Sequence, residues 1–140
     1  MTEPAGYDYF ETEADIGVHA WGRSAAEAFA QAALGVLALT VEPSDVAPRE
    51  HREVRAQGAT SEALLVNWIN ECLYVHEIEG FVARRVEVDV CEPSVVHGVL
   101  HGEEIDRTRH NLGTVVKAAT LHRVQVEHDG RWDVRVVVDV

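Results

Sequence analysis

KAATLHRVQVEHDGRWDVRVVVDV, residues 117–140, decides the fold, because it reads as two strands joined at a turn and polarity tests their register. A two-residue turn at Asp129-Gly130 would set Glu127 opposite Trp132 and Gln125 opposite Val134, mixing polar and apolar groups on both faces. A three-residue loop, His128-Asp129-Gly130 with the glycine left-handed, shifts the pairing by one. Val126 then faces Trp132, Val124 faces Val134, His122 faces Val136 and Thr120 faces Val138, which gathers the apolar groups on one side. That register is the expected one. It sets Ala119 opposite Asp139 and makes Lys117 the diagonal neighbour of Asp139, roughly 7–8 Å away by backbone. The chain's single lysine and its penultimate aspartate then meet beside the α-carboxylate of Val140. The ordinary product of such a meeting is a surface salt bridge, worth about 0–1 kcal/mol.

Upstream of this hairpin, two segments have helical periodicity. Ser24-Ala25-Ala26-Glu27 is a capping box in which serine and glutamate side chains each satisfy an amide at the helix start. Phe29, Ala32, Ala33, Val36 and Leu37 follow as one apolar stripe. The second helix starts near Thr60-Ser61-Glu62 and carries Leu65, Trp68, Ile69, Cys72 and Leu73 on one face. Val82, Val86, Val88 and Val90 alternate with Ala83, Arg85, Glu87 and Asp89, a half-buried strand pattern. Glu92-Pro93-Ser94 turns into a strand at Val95–Leu100, and a long strand is expected from about Gly113 to Glu127. Shorter strands fit Tyr7–Thr12, Gly17–Trp21 and Arg49–Ala56. Many strands with two amphipathic helices predict an α+β fold: one domain over residues 1–140, a mainly antiparallel sheet, and both helices packed on one face.

Composition narrows the function. The 140 residues are 46% hydrophobic, enough for a real core, and no apolar run is long enough to cross a membrane. Met1-Thr2-Glu3-Pro4 has neither the basic nor the apolar region of a signal peptide, so the expected location is cytoplasmic. Cys72 and Cys91 lack metal-ligand spacing and are expected as buried free thiols. Twelve basic residues stand against 24 acidic ones, a formal net charge of -12, and the arginines are scattered. Direct nucleic-acid binding needs clustered cations, so it is not expected. A divalent cation or a basic protein partner suits the charge better. No phosphate-binding loop, nucleophile elbow or dinucleotide fingerprint occurs.

Asp15, in Ala14-Asp15-Ile16-Gly17, stands just before a strand and on its own reads as a turn or capping aspartate. If the sheet carries it to the C-terminal edge, Asp15, Asp139 and the terminal carboxylate of Val140 make an oxygen-rich pocket of the kind that selects Ca²⁺ or Mg²⁺. The histidines read more plainly. His97 and His101 are four apart on a strand, too few ligands for zinc. His110 and His122 flank Lys117 and are possible acid–base groups, although His122 on the core side reads as a hydrogen-bonded core histidine. Trp68 and Trp132 read as core; Asn70 and Glu71 read as capping, partner-facing or solvated groups.

Several segments together resemble the archease family along nearly the whole chain. They are Ala14–Gly17, Glu27-Ala28-Phe29, Leu64–Tyr74, Glu79-Gly80, His101-Gly102-Glu103, His110–His122 and the terminal Val138-Asp139-Val140. The resemblance implies a divalent-cation site, with Ca²⁺ expected and Mg²⁺ or Mn²⁺ as alternatives, held by Asp15, Asp139 and Val140, with Lys117 also functional. It implies an RtcB-type RNA ligase as partner, which joins RNA ends bearing a 2′,3′-cyclic phosphate or 3′-phosphate to a 5′-hydroxyl. The family promotes guanylylation of that ligase and its multiple turnover in tRNA splicing or RNA repair, and is not itself an enzyme. Archeases commonly carry His-Thr before the Ala-Asp pair, whereas this chain has Thr12 and Glu13 there. Two other functions remain from the residues alone: a non-catalytic chaperone or adaptor, and a stand-alone metal-dependent phosphoesterase.

Overall fold

A computed structural model describes residues 4–12 and 15–140. Helix α1 runs Ala25–Thr40, and the Ser24 hydroxyl accepts from the Glu27 amide at 3.1 Å. The return half of the expected capping box differs: the Glu27 carboxylate accepts from Arg23 N, 2.8 Å, one residue before the cap. Helix α2, Ser61–Glu79, is capped by Thr60 and ends on Gly80, whose left-handed backbone (φ 62) lets the chain turn at once into a strand. Both predicted apolar stripes are buried. The Trp68 indole, fully buried, donates from Nε1 to the Phe29 carbonyl at 2.9 Å and locks the two helices together.

Seven strands complete the chain: β1 Gly6–Glu11, β2 Ile16–Gly22, β3 Glu50–Gln57, β4 Phe81–Cys91, β5 Val95–Glu104, β6 Ala118–Asp129 and β7 Arg131–Asp139. They divide between two antiparallel sheets, ordered β1-β2-β7-β6 and β3-β5-β4. Each helix packs on strands of both sheets, α1 on β2 and β4, α2 on β3 and β6. The α+β class with two helices on antiparallel strands is therefore the fold observed.

Three local expectations change. First, β4 does not keep one alternation. A bulge between Ala83 and Arg85 flips its parity, so Val82 joins a small cluster with Val41 and Val46 while Phe81, Ala83, Val86 and Val88 face the main core. Second, residues 105–117 form an extended connection rather than the start of β6. Its amides are used elsewhere: Gly113 and Thr114 donate to Thr40 and Leu39, both 2.8 Å, satisfying carbonyls that the end of α1 leaves open. A side chain at Gly113 would sit 2.4 Å from the Leu39 oxygen, so only glycine permits that approach.

Third, the C-terminal hairpin has two registers. Near the turn His128 pairs with Trp132, their rings stacked at 4.4 Å, and Val126 pairs with Val134. Asp129 pairs with Arg131 across Gly130 alone, so each β7 residue near the turn meets a β6 residue two places later than expected. Beyond Thr120 the pairing shifts, so Thr120 meets Val137 and Ala118 meets Asp139. Residues 121–124 absorb the difference as a bulge, with Arg123 left-handed at φ 62. His122 is consequently exposed on the bulge and not a core histidine. Cys72 is a buried free thiol, but Cys91 is only half-buried.

Candidate functional site

The expected site residues lie at one end of the four-stranded sheet. Strand β2 pairs with β7 without irregularity from Gly22↔Trp132 to Ile16↔Val138. Continuing that register by one place sets Asp15 opposite Asp139, in the row that also holds Ala118. Directly opposed positions bring Cβ atoms to about 4.5–5.5 Å, so the two carboxylates start from neighbouring backbones on one face. Val136 and Val138 are in the core, so the alternate positions Val137 and Asp139 belong to the outer face, away from the helices.

The loop before Asp15 holds that residue by its backbone. The Thr12 hydroxyl accepts from the Asp15 amide at 3.0 Å and donates to the Asp15 carbonyl at 2.9 Å. One side chain therefore closes the turn at both of Asp15's peptide groups, and among the described residues no basic side chain pairs with its carboxylate. Glu13, weighed for extra negative charge, lies outside the described residues.

Lys117 reaches Asp139 differently from the expectation. Its backbone amide donates to the Asp139 carbonyl at 2.8 Å, and no lysine–carboxylate ion pair forms among the described residues. The shifted register explains this, because it places Ala118, not Ala119, opposite Asp139 and turns the side chain of Lys117 away from that row. The lysine is exposed and lines a cleft of about 420 Å³ with His76, Arg107, Ile105 and Val115. Asn70, read from sequence as a cap or solvated group, is what secures this corner. Its carboxamide accepts from Ala119 N at 2.7 Å and donates to Ala119 O at 3.3 Å, occupying the open edge of β6 two residues from Lys117. An asparagine between the buried Ile69 and Cys72 was the available signal.

The donor set suits a hard cation. Asp15 and Asp139 offer carboxylate oxygens that no basic side chain takes among the described residues, and Val140 follows Asp139. No group of three or more His, Cys, Asp or Glu side chains among the described residues is placed to hold a metal.

The other candidates are committed elsewhere. His110 is 2% exposed, and both ring nitrogens are used. Nδ1 accepts from the Asp106 amide at 2.9 Å, and Nε2 donates to Glu103 at 3.1 Å. It is a structural pin with no lone pair or proton left for chemistry. Glu103 also accepts from Ala47 N at 2.7 Å and from Arg109 at 2.6 Å. The Arg109 guanidinium and these amide and imidazole donors hold its carboxyl far below the usual range, at about 2. His97 pairs with Asp89 at 2.6 Å, and His101 with Glu87, on the outer face of the three-stranded sheet.

Comparison with known proteins supplies the family. The model of the archease protein family (MTH1598/TM1083) matches residues 7–140. The protein archease of Sulfurisphaera tokodaii is 36% identical over 136 residues, covering 96% of this chain and 98% of the relative. That of Pyrococcus abyssi is 34% identical over 139 residues, with 96% and 98% covered. The solution structure of Methanobacterium thermoautotrophicum protein 1598 superposes with a TM-score of 0.79 at 30% identity, over 96% of this chain and 99% of the other. A Thermotoga maritima crystal structure, described as an archease and possible chaperone, shares the fold at a TM-score of 0.61 and 20% identity. Those matches span the sheet end that carries Asp15 and Asp139 as well as both helices, and the chain belongs to the archease family.

Proposed function

We propose that this chain is a metal-binding activator of an RtcB-type RNA ligase, promoting guanylylation of the ligase and its multiple turnover in tRNA splicing or RNA repair. The observation that carries the reading is the register that sets Asp15 opposite Asp139, with Lys117 hydrogen-bonded to the Asp139 backbone beside the chain terminus. A divalent cation bound there, Ca²⁺ or else Mg²⁺ or Mn²⁺, would supply charge neutralisation at a phosphate oxygen. The chain's own residues do the rest. Asp15 and Asp139 present carboxylate oxygens that no basic side chain takes among the described residues, Thr12 fixes the backbone of the first, and Lys117 offers an exposed ammonium to developing negative charge.

The surroundings favour a protein partner over a bound small substrate. Leu112 and Val115, large apolar and exposed, line the cleft with Lys117, and Tyr74 and Ile78 are exposed on α2. His110 has no free ring nitrogen, which counts against a stand-alone phosphoesterase using it as base.

The test is multiple-turnover ligation by the cognate ligase with GTP and Mn²⁺, with and without this protein. Wild type is expected to raise turnover, and Asp139→Ala and Lys117→Ala to abolish the gain. Full activation by both variants would sink the reading, and so would no effect of wild type on an active ligase.

A further inference from the structure

The outer face of the four-stranded sheet carries a second feature, two rows beyond Asp15 and Asp139. Phe10, Arg123, Gln125 and Arg135 line a cavity of about 230 Å³. With about 30 Å³ per water, that volume holds a tetrahedral oxyanion and part of its hydration. Arg135 pairs with His19 on one side and with Gln125 on the other, so these residues share the face of Asp139. Four residues separate Arg135 from Asp139, about 13 Å along the strand.

Local structure builds this cavity. The Phe10 ring lies flat over Gly17, where a Cβ would approach it to 2.2 Å. Thus seated, the ring supports the Arg135 guanidinium, 5.4 Å from its centroid. Arg123 comes from the bulge, at the only non-glycine positive φ among the described residues. Such a backbone costs of order 1–3 kcal/mol and is retained where the surroundings impose it, characteristically at ligand sites.

Charge is the deciding observation. In a chain of net charge -12, neither Arg123 nor Arg135 has a carboxylate within 4 Å among the described residues. The nearest acidic row is already occupied: His19 bridges Asp8 at 3.2 Å and Asp133 at 2.8 Å, and Arg131 takes Asp133 as well. The two guanidiniums share this exposed hollow with no carboxylate between them among the described residues, and their planar forks match a phosphate. We propose that Arg123, Arg135, Gln125 and Phe10 form a phosphate-binding pocket that takes the phosphate group of a nucleotide or of an RNA end. It stands independently of the cation site.

The test uses the full chain in EDTA, so that Asp15 and Asp139 play no part. Inorganic phosphate is titrated against chloride of equal ionic strength, following the Arg Nε and Gln125 side-chain NMR signals. Saturable shifts confined to Arg123, Arg135 and Gln125 are expected. Arg123→Gln and Arg135→Gln should each weaken binding about tenfold or more, with unchanged backbone spectra elsewhere. Shifts that do not saturate, or wild-type affinity in both variants, overturn the pocket. Guanosine monophosphate, and an oligoribonucleotide with a 3′-phosphate beside its 3′-hydroxyl twin, separate the sources. Tighter binding of the phosphorylated oligomer than of both the twin and the mononucleotide assigns an RNA end, and equal binding of mononucleotide and phosphorylated oligomer assigns the phosphate group alone. A hydroxyl twin that binds as tightly as the phosphorylated oligomer overturns phosphate recognition.

Discussion

Glu103 shows how one residue holds the connection that leads to Lys117. Its carboxylate, 4% exposed, collects donors from Ala47, Arg109 and His110, so two separate segments meet on the two oxygens of a β5 side chain. Unfolded, the group titrates near its ordinary 4.5; folded, it titrates at about 2. A depressed folded value means the ionised form stabilises the fold in full above about pH 4.5, and that contribution is lost as pH falls towards about 2. Glu103→Gln should therefore cost about 2 kcal/mol at pH 7 and much less at pH 3. Urea midpoints at the two pH values check this; an equal loss at both would refute the assignment. Thr12 acts on a smaller scale at the opposite end of the site. Thr12→Val removes both hydrogen bonds to the Asp15 backbone, whereas Thr12→Ser keeps them. Calcium titration should show weaker binding only for the valine variant, by a few-fold.

At the level of elements, the bulge in β6 connects two registers that polarity alone could not reconcile. The turn end obeys ring stacking and Val126↔Val134 pairing, and the far end obeys the position of Asp139 and the Asn70 clamp on Ala119. Arg123 bears the backbone strain of the mismatch. Arg123→Gly should raise unfolding free energy by about 0.5–1 kcal/mol, because relief of the left-handed penalty exceeds the added chain entropy. The same variant should bind phosphate less well, so stability and binding move in opposite directions. Asn70→Leu tests the other end. Leaving the Ala119 amide and carbonyl unpaired should cost about 1–3 kcal/mol by thermal unfolding and speed amide exchange at residues 117–120.

For the molecule as a whole, the proposed cation site takes in the α-carboxylate of Val140 as its third ligand. Asp139 ends β7, at the sheet end shared with Asp15. Extending the chain by Gly-Ser keeps every strand but removes the terminal charge from Val140. Calcium affinity should fall about tenfold or more while the melting temperature in EDTA stays the same. Equal calcium affinity with and without the extension would remove Val140 from the ligand set.

How much of this was legible depends on the range of the interaction. The helices, their buried stripes and their caps follow from periodicity and short-range hydrogen bonding, which act within about four residues. The α+β class follows from the same signals, since two amphipathic helices and alternating strands must bury their apolar sides together. Composition already argued against a membrane-spanning helix. Sequence similarity, read through the order of the matching segments, pointed to the family before any coordinates. Tertiary structure decided the rest. It split the strands into two sheets, flipped the parity of β4, and drew residues 113–117 off β6, where the Gly113 and Thr114 amides cap the end of α1. It also moved the hairpin register, by two residues near the turn and by one at the far end, and opened the bulge, so Lys117 meets Asp139 through its backbone and His122 lies in solvent. A shift of one residue changes local hydrophobicity hardly at all, yet turns every side chain to the other face. Only the carbonyls, strand edges and rings contributed by distant segments determine which shift has the lower energy.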